Sequence, residues 1–487
     1  MTFSPTPEQS AVVSAAGGTK DNLIISALAG AAKTSTLVLV AEALPTTSIL
    51  CLAFNKRIAL EMQERLPKNC KASTLNALGH NTWRQTISDK VVLDKDKSYS
   101  ILTELIQRLP KKEQETAYAD FAETLKAIDA GKTCGYIPTG THKNAKRLMN
   151  DDEFFNWLDE VPSQQQENLI REATAISIER GLKGLVDFAD QILLPTVFPA
   201  MFDYFPLIMV DEAQDLSALN HATLAKMVKK RLIAVGDPCQ AIYGFRGAHE
   251  ESMALLEERF KMQRLFLTTS FRCPRKVVSE ALWRAPTMRF PDWAIEGEVR
   301  RLHDWDAKSV PETAAIICRN NAPLFSMAVK LLKNGRYPQL VGNDIGKYLL
   351  KVMKKFGKVS ISRKEVYDCI DKWADEKLKK NRNPGKVYDQ ASCLRIFADQ
   401  GSTLGEAMAY AEHLFDSQGP IQLMTGHKAK GLEFDTVFFL DEDLINMEEP
   451  QDRNLKYVIQ TRAKKALFYV TSKEFDDEFE AGPQPDA

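Results

Sequence analysis

The sequence has no C-x-x-C pair; its eight cysteines, at positions 51, 70, 134, 239, 273, 318, 369 and 393, are scattered. That argues against a zinc site or a disulfide framework and for a reducing compartment. No apolar run is long enough to cross a bilayer, and no secretory signal stands at the start. No charge of one sign dominates either: 64 Lys and Arg face 65 Asp and Glu, for a net charge of −1. Global basicity therefore does not announce a nucleic acid, although a local basic lining in one groove would suffice to hold one. What is present is a soluble, globular composition, 44% hydrophobic and 26% charged. The 487 residues suffice for about three to four ordinary domains.

The most informative run is Phe205–Asp215, FPLIMVDEAQD. Leu207, Ile208, Met209 and Val210 read as a strand buried on both faces of a parallel sheet. It ends in two adjacent carboxylates, Asp211 and Glu212. Acids at the carboxyl end of such a strand stand at the mouth of an open α/β sheet, where ligands bind. One acid could hold Mg²⁺ while the other orients or deprotonates a water. The plainer alternative is a helix N-terminus whose dipole favours acids.

Glycine is scarce where it would be most expected. Residues 27–34 read ALAGAAKT, a strand end, a small-residue loop and Lys-Thr before a helix. This order suits a phosphate cradle of backbone N–H groups, with Lys33 reaching the β/γ-phosphates and Thr34 on Mg²⁺. Only Gly30 remains of the usual glycines, and Ala32, which disfavours positive φ, directly precedes Lys33. The alternative is small residues packing a helix onto a strand.

Around these two runs the chain alternates. Strands are expected at Leu23–Leu28, Ser48–Ala53, Leu207–Val210, Leu232–Val235, Ala315–Cys318, Ile421–Met424 and Val437–Leu440, and a helix at Asn55–Leu66. Residues 86–200 and 343–415 read as charged, amphipathic helices, for example Tyr99–Leu109 and Gln164–Arg180. A further α/β stretch begins near Leu265. Residues 475–487 read as an acidic, frayed tail. The expected fold class is α/β, in two blocks, each interrupted by a mainly helical insertion.

Taken in order, the segments TPEQ (Thr6–Gln9), ALAGAAKT, AFNKRIALEM (Ala53–Met62), STLNALGH (Ser73–His80), VDEAQD, VGDPCQAIYGFRGA (Val235–Ala248), LTTSFRCP (Leu267–Pro274), MTGHKAKGLEF (Met424–Phe434) and YVIQTRAKKAL (Tyr457–Leu467) resemble the superfamily-one DNA helicases of the UvrD/Rep/PcrA type. The nearest branch in appearance is that of compact phage and bacterial UvrD-like helicases and of F-box DNA helicases. The resemblance implies two RecA-like P-loop lobes with parallel sheets. Lobe 1A would comprise 1–85 and 201–262 around insertion 1B at 86–200. Lobe 2A would comprise 263–342 and 416–474 around insertion 2B at 343–415.

The resemblance also implies roles. Gln9 would hydrogen-bond adenine, Phe271 would stack on it and Glu433 would contact the ribose of ATP. Ala29, Gly30, Ala31, Ala32, Lys33, Thr34 and Ser35 would enclose the phosphates, with Thr34 and Asp211 on Mg²⁺. Ser35 stands where family members often carry an arginine that touches the base. Glu212 would be the general base, Gln240 would sense the γ-phosphate or the attacking water, and Arg272 and Arg462 would be arginine fingers from the second lobe. Phe54, Tyr243 and Phe245 would stack on bases. Asn55, Lys56, Thr74 and Arg246 would contact phosphates or sugars, and His427 would link the DNA track to the ATP site. Trp83 reads as core or hinge. The implied activity is 3′–5′ translocation on single-stranded DNA with duplex unwinding, in replication, recombination or repair. A translocase that strips bound protein, or an ATP-gated clamp with little turnover, are the alternatives. Expected partners are single-stranded DNA and single/double-strand junctions, with single-strand-binding or recombinase proteins as further candidates. No membrane is expected, the working form is a monomer, and the setting is the cytoplasm and nucleoid, or the nucleus of a eukaryote.

Overall fold

Short apolar runs without alternation, such as LIISA, ILCL and LIMV, fit the middle of a parallel sheet with both faces covered. The computed structural model describes residues 4–87, 90–244, 251–342 and 344–476. The chain divides into two units. The first holds the residues up to Leu28 together with Ala32–Thr268, and the second holds Ala29–Ala31 together with the residues from Thr269 onward.

In the first unit, six strands form one all-parallel sheet: β1 (Leu23–Ala27), β2 (Ile49–Leu52), β3 (Cys70–Ser73), β4 (Leu207–Val210), β5 (Arg231–Gly236) and β6 (Gln263–Leu267). Their order is β3-β2-β4-β5-β1-β6. Every residue of β1, β2 and β4 is buried. Because β4 and β5 lie between β2 and β1, the carboxyl ends of β4, β5 and β1 stand side by side. That edge is where open α/β sheets hold ligands. The core beneath it joins Ile24, Leu50, Ile208 and Leu232 to Leu224, Met253 and Leu256.

The segment expected as the first insertion has a core of its own. Helices Lys97–Gln107, Phe121–Cys134 and Gln164–Leu182 bury Ile101, Leu105, Ile128 and Ile170 around a Tyr136–Phe154 stack with ring centroids 4.2 Å apart. Local signals explain the helix ends. Ser163 and Gln166 form a capping box, and Gly135, at φ 81°, closes the helix Phe121–Cys134 in the left-handed region. Trp83 is core, its indole N–H donating to Gly181 O at 3.0 Å.

In the second unit another six parallel strands, β7 (Glu298–Arg301), β8 (Ala315–Cys318), β9 (Pro338–Leu340), β10 (Ile421–Thr425), β11 (Phe434–Leu440) and β12 (Ala463–Val470), follow the order β9-β10-β8-β11-β12-β7. Helices Asp344–Lys354, Arg363–Lys380, Pro384–Ala398 and Leu404–Asp416 fill the segment expected as the second insertion. They have no separate core: Val366, Phe397 and Leu414 pack in one cluster with Ile316, Leu423 and Phe438 of the sheet. Among the described residues, no helix is long and apolar enough to cross a membrane.

Two expected boundaries are corrected. Gln263–Leu267 does not open the second block; as β6 it pairs with β1 from Leu23↔Gln263 to Ala27↔Leu267 and closes the first sheet. Phe475 is not frayed tail. It is buried edge-on against Trp305, with centroids 4.9 Å apart, in a two-residue ladder with Trp305–Asp306.

Helices Leu75–Ile87 and Asp190–Val197 cross closely at Gly79. A Cβ on Gly79 would stand 1.9 Å from Gln191 O. Alanine would raise helix propensity by about 1 kcal/mol, but overpacking costs about 1–3 kcal/mol, and a clash with backbone falls at the upper end. Gly79→Ala is expected to lower the urea midpoint of unfolding; an unchanged or higher midpoint would refute this crossing.

Candidate functional site

The loop after β1 takes the turn a phosphate cradle needs even though alanine replaces glycine. Gly30 has φ 74°, and Ala32 has φ 55° and ψ 42°, in the left-handed region. From there Ala32 O accepts the Thr36 N–H at 2.9 Å and the Thr36 hydroxyl at 3.0 Å, which starts the helix Lys33–Glu42. An L-residue with a Cβ pays about 1–2 kcal/mol for this backbone. Within the second unit, Ala29 N–H donates to Tyr457 Oη at 3.0 Å and Gly30 O accepts Phe271 N–H at 2.9 Å. A Cβ on Gly30 would come within 2.5 Å of Ser270 Oγ, so glycine is required there for space as well as for φ.

The helix Lys33–Glu42 begins at the acid pair. Thr34 Oγ1 donates to Asp211 Oδ2 at 2.8 Å, and Lys33 Nζ lies 3.6 Å from Glu212 Oε1. Asp211 Oδ1 accepts the Glu212 N–H at 2.9 Å. Glu212, at φ 53°, is a second non-glycine residue in the left-handed region. Such backbone clusters at functional sites.

Gln214 and Asp237, to which the sequence reading gave no role, join the ends of β4 and β5. Gln214 Nε2 donates to Glu212 Oε2 at 2.6 Å, and Gln214 Oε1 accepts the Asp237 N–H at 2.9 Å. Asp237 Oδ2 accepts from Gln240 Nε2 at 2.6 Å, and Asp237 Oδ1 from Cys239 N–H at 2.9 Å. A Cβ on Gly236 would meet Gln214 Oε1 at 2.5 Å, so this glycine makes room for the bridge. Both residues lie inside the quoted VDEAQD and VGDPCQ segments; the signal was present but pointed to the neighbours.

Electrostatics set this cluster apart from a plain helix start. Burial, then the neighbouring Glu212 charge, pushes Asp211 up to about 6, against the pull of Lys33 and the Thr34 hydroxyl. Burial also raises Asp237. Asp211, Glu212 and Asp237 thus all lie within the influence of the Lys33 ammonium. Hard oxygen donors from Thr34 and Asp211, 2.8 Å apart, fit a small divalent cation such as Mg²⁺.

The other expected nucleotide residues have other partners. In the first unit, Gln9 is buried, its Nε2 donating to Thr36 Oγ1 at 3.1 Å while its Oε1 caps the Thr6 N–H at 3.0 Å. Ser35 Oγ accepts from Arg65 Nη2 at 2.8 Å. In the second unit, Phe271 stacks on exposed Trp293, with centroids 6.3 Å apart. Arg272 is paired with Glu433, Nε to Oε1 at 2.6 Å, so the expected finger and the expected ribose contact hold each other. Arg462 is only 1% exposed. It donates to Val458 O at 2.9 Å, Leu432 O at 3.3 Å and Thr461 Oγ1 at 3.1 Å. Burial, then the Arg272 charge, pushes it down to about 9. His427 lies on the short helix Gly426–Ala429, half-buried.

The expected nucleic-acid residues of the first unit gather where β2 and β3 end. Ala53 N–H donates to Ser73 O at 3.0 Å, which sets Phe54 beside Thr74. Phe54 is 52% exposed and stacks on Tyr243 at 6.3 Å with planes 10° apart. Asn55 caps the helix Lys56–Arg65 through Ile58 N–H, Thr74 caps Leu75–Ile87 through Ala77 N–H, and Lys56 is exposed. Two helix N-termini therefore open beside an aromatic pair, an arrangement suited to phosphate and base together. Phe245 and Arg246 lie outside the described residues. The sequence reading missed Phe188, 52% exposed, whose carbonyl accepts from Asn76 Nδ2 at 2.8 Å two residues after Thr74. An apolar ring between two aspartates in VDFAD was the available signal.

The chain is also similar to known proteins. The model of the UvrD/REP helicase N-terminal domain matches residues 6–261, and that of the UvrD-like helicase C-terminal domain matches residues 364–474. F-box DNA helicase protein 1 of Schizosaccharomyces pombe is 24% identical, over 95% of this chain and 57% of the relative. F-box DNA helicase 1 of Gallus gallus is 26% identical, over 92% and 47%. DNA helicase II of Escherichia coli is 24% identical, over 54% and 38%. The chain spans about half the length of the two F-box relatives.

Two outcomes follow from the strain and charge at this site. Ala32→Gly is expected to stabilise the chain by on the order of 1 kcal/mol, because relief of the left-handed alanine exceeds the entropy glycine adds to the unfolded state; denaturant titration that shows a loss would contradict the turn. For Asp211 the folded pKa lies above the unfolded one. Its contribution to stability is therefore present below about pH 4 and lost as pH rises through about 6. In a chelator, Asp211→Asn should melt higher than wild type near neutral pH, by about 1–3 kcal/mol, and converge with it in acid. A difference that does not change with pH would mean that the carboxylate is not desolvated.

Proposed function

The chain belongs to the UvrD/REP helicase family, and from that premise we propose that it is an ATP-dependent DNA motor that moves 3′ to 5′ along one strand and unwinds duplex. The observation that carries this reading is the pairing of Lys33 with Glu212 and of Thr34 with Asp211 at the carboxyl edge of the first sheet. Lys33 exchanges its carboxylate for the β/γ-phosphates of ATP. Thr34 and Asp211 would hold Mg²⁺, which when bound supplies positive charge against the phosphates. Glu212, fixed through Gln214, orients and deprotonates the attacking water. Gln240, held by Asp237, senses the γ-phosphate.

Arg272 and Arg462 serve the transferring phosphoryl group from the second unit, an effect of about 10³–10⁵-fold on turnover. For Arg272 this requires an exchange of Glu433 for phosphate, and Glu433 is then released toward the ribose. Gln9 and Phe271 take the adenine. Phe54, Tyr243, Phe188 and Phe245 stack on bases, at about 1–3 kcal/mol per base without sequence preference. The helix starts at Asn55–Lys56 and Thr74, with Arg246, take phosphates, and His427 connects strand and nucleotide. The substrate is single-stranded DNA and its junction with duplex, and the working form is a monomer. The left-handed turn at Ala32 favours a turning-over motor over a passive clamp, since the cradle's turn forms with alanine in place of glycine at that position.

DNA-stimulated phosphate release and strand displacement on 3′-tailed and 5′-tailed duplexes test the proposal. Wild type is expected to displace only from 3′ tails. Glu212→Gln should retain ATP binding and lose about 10²-fold or more of turnover. Equal phosphate release by wild type and Lys33→Ala would rule out a motor. Phosphate release without displacement would leave a translocase that strips protein.

A further inference from the structure

The helical part of the first unit buries four charges that no step above uses. Lys97, Lys132 and Asp190 are fully buried and Asp187 nearly so. Lys97 Nζ lies 2.6 Å from Asp190 Oδ2. Lys132 Nζ lies 2.8 Å from Asp190 Oδ1, bonds Asp187 Oδ2, and donates to Ser177 Oγ at 2.9 Å. Ser98 Oγ adds a bond to Asp187 Oδ2 at 3.2 Å. Two ammonium groups face these two carboxylates, and the Asp129 carboxyl, raised by burial, joins the cluster through Ser98.

The same carboxylates close the turn that carries them. Asp187 Oδ1 accepts the Ala189 and Asp190 N–H groups at 3.0 Å, and Asp190 Oδ2 accepts the Asp187 N–H at 3.0 Å. The turn 187–190 is thus fixed inwardly to three helices, Lys97–Gln107, Phe121–Cys134 and Gln164–Leu182. Its outer side is tied by Asn76, whose Nδ2 donates to Phe188 O at 2.8 Å and Gln191 Oε1 at 3.2 Å. Of the four residues only Phe188 is exposed. A surface ring normally loses backbone freedom when a base stacks on it, whereas a turn already fixed has lost that freedom beforehand.

We propose that Lys97 and Lys132 from inside, and Asn76 from outside, are positioning residues for strand binding that hold the 187–190 turn so that Phe188 presents its ring to a nucleic-acid base. This rests on the reading of Phe188 as part of the DNA track.

A double-mutant cycle tests it, with fluorescence anisotropy of a labelled oligothymidylate on the full chain and circular dichroism as the folding control. Phe188→Ala is expected to weaken binding about 10-fold. Lys97→Met and Asn76→Ala should each weaken it several-fold, and neither should weaken it further once Phe188 is alanine. Losses that multiply in the double variants, or wild-type affinity in Lys97→Met and Asn76→Ala, would overturn the proposal while leaving the track intact. If Lys97→Met fails to fold, the half-buried Asn76→Ala arm decides by the same criterion. Wild-type affinity in Phe188→Ala alone would overturn the track reading at this position, and the proposal with it.

Discussion

Asp211 is buried at the end of β4, its two oxygens divided between the Thr34 hydroxyl and the Glu212 backbone N–H. A carboxylate in that place is costly to ionise, and the cost rises because Glu212 stands next to it. Thr34 cannot reach it unless the loop after β1 turns left-handed at Ala32, and Glu212 can face Lys33 only because its own backbone turns left-handed too. The sheet order makes this possible, since it sets the ends of β4, β5 and β1 next to one another. The glycine at 236 and the Gln214 bridge serve the same arrangement, with Asp211 buried and Glu212 held beside Lys33.

The strain and the charge have the same direction. Each left-handed alanine or glutamate costs on the order of 1–2 kcal/mol, and ionising the buried Asp211 beside Glu212 adds a cost that Lys33 offsets only in part. None of this favours the folded chain by itself. A cation beside the two acids would relieve the electrostatic part of that cost. The glycine-poor loop keeps its left-handed turn at a higher conformational cost.

Legibility in the sequence followed the range of the interaction. Leu207–Val210 was clear because four buried apolar residues in a row leave few alternatives, and its acids follow at once. Asn55 and Thr74 both follow strand ends of the first sheet, but their helix-capping roles emerge from local hydrogen bonds. Gln263–Leu267 was assigned to the wrong block because a half-exposed edge strand carries no mark of the sheet it joins; its partner, Leu23–Ala27, lies some 240 positions away. Phe475 was lost in an acidic stretch because one ring says nothing about Trp305. Arg272 and Glu433 were each given a ligand, and the bond between them could not be read from segments 161 positions apart.

The turn at 187–190 extends the same point to energetics. Its aspartates meet lysines 93 and 55 positions away in direct contact. A buried ionic set of this kind adds little net stability over apolar residues of the same volume, whereas loss of a single partner costs about 3–5 kcal/mol. Its selective value must lie in geometry: an apolar cluster would hold three helices together equally well but would let the turn choose among several backbone conformations. Carboxylates that must each satisfy two backbone N–H groups or an ammonium permit far fewer. The backbone that carries the exposed Phe188 ring is held by these bonds and by Asn76.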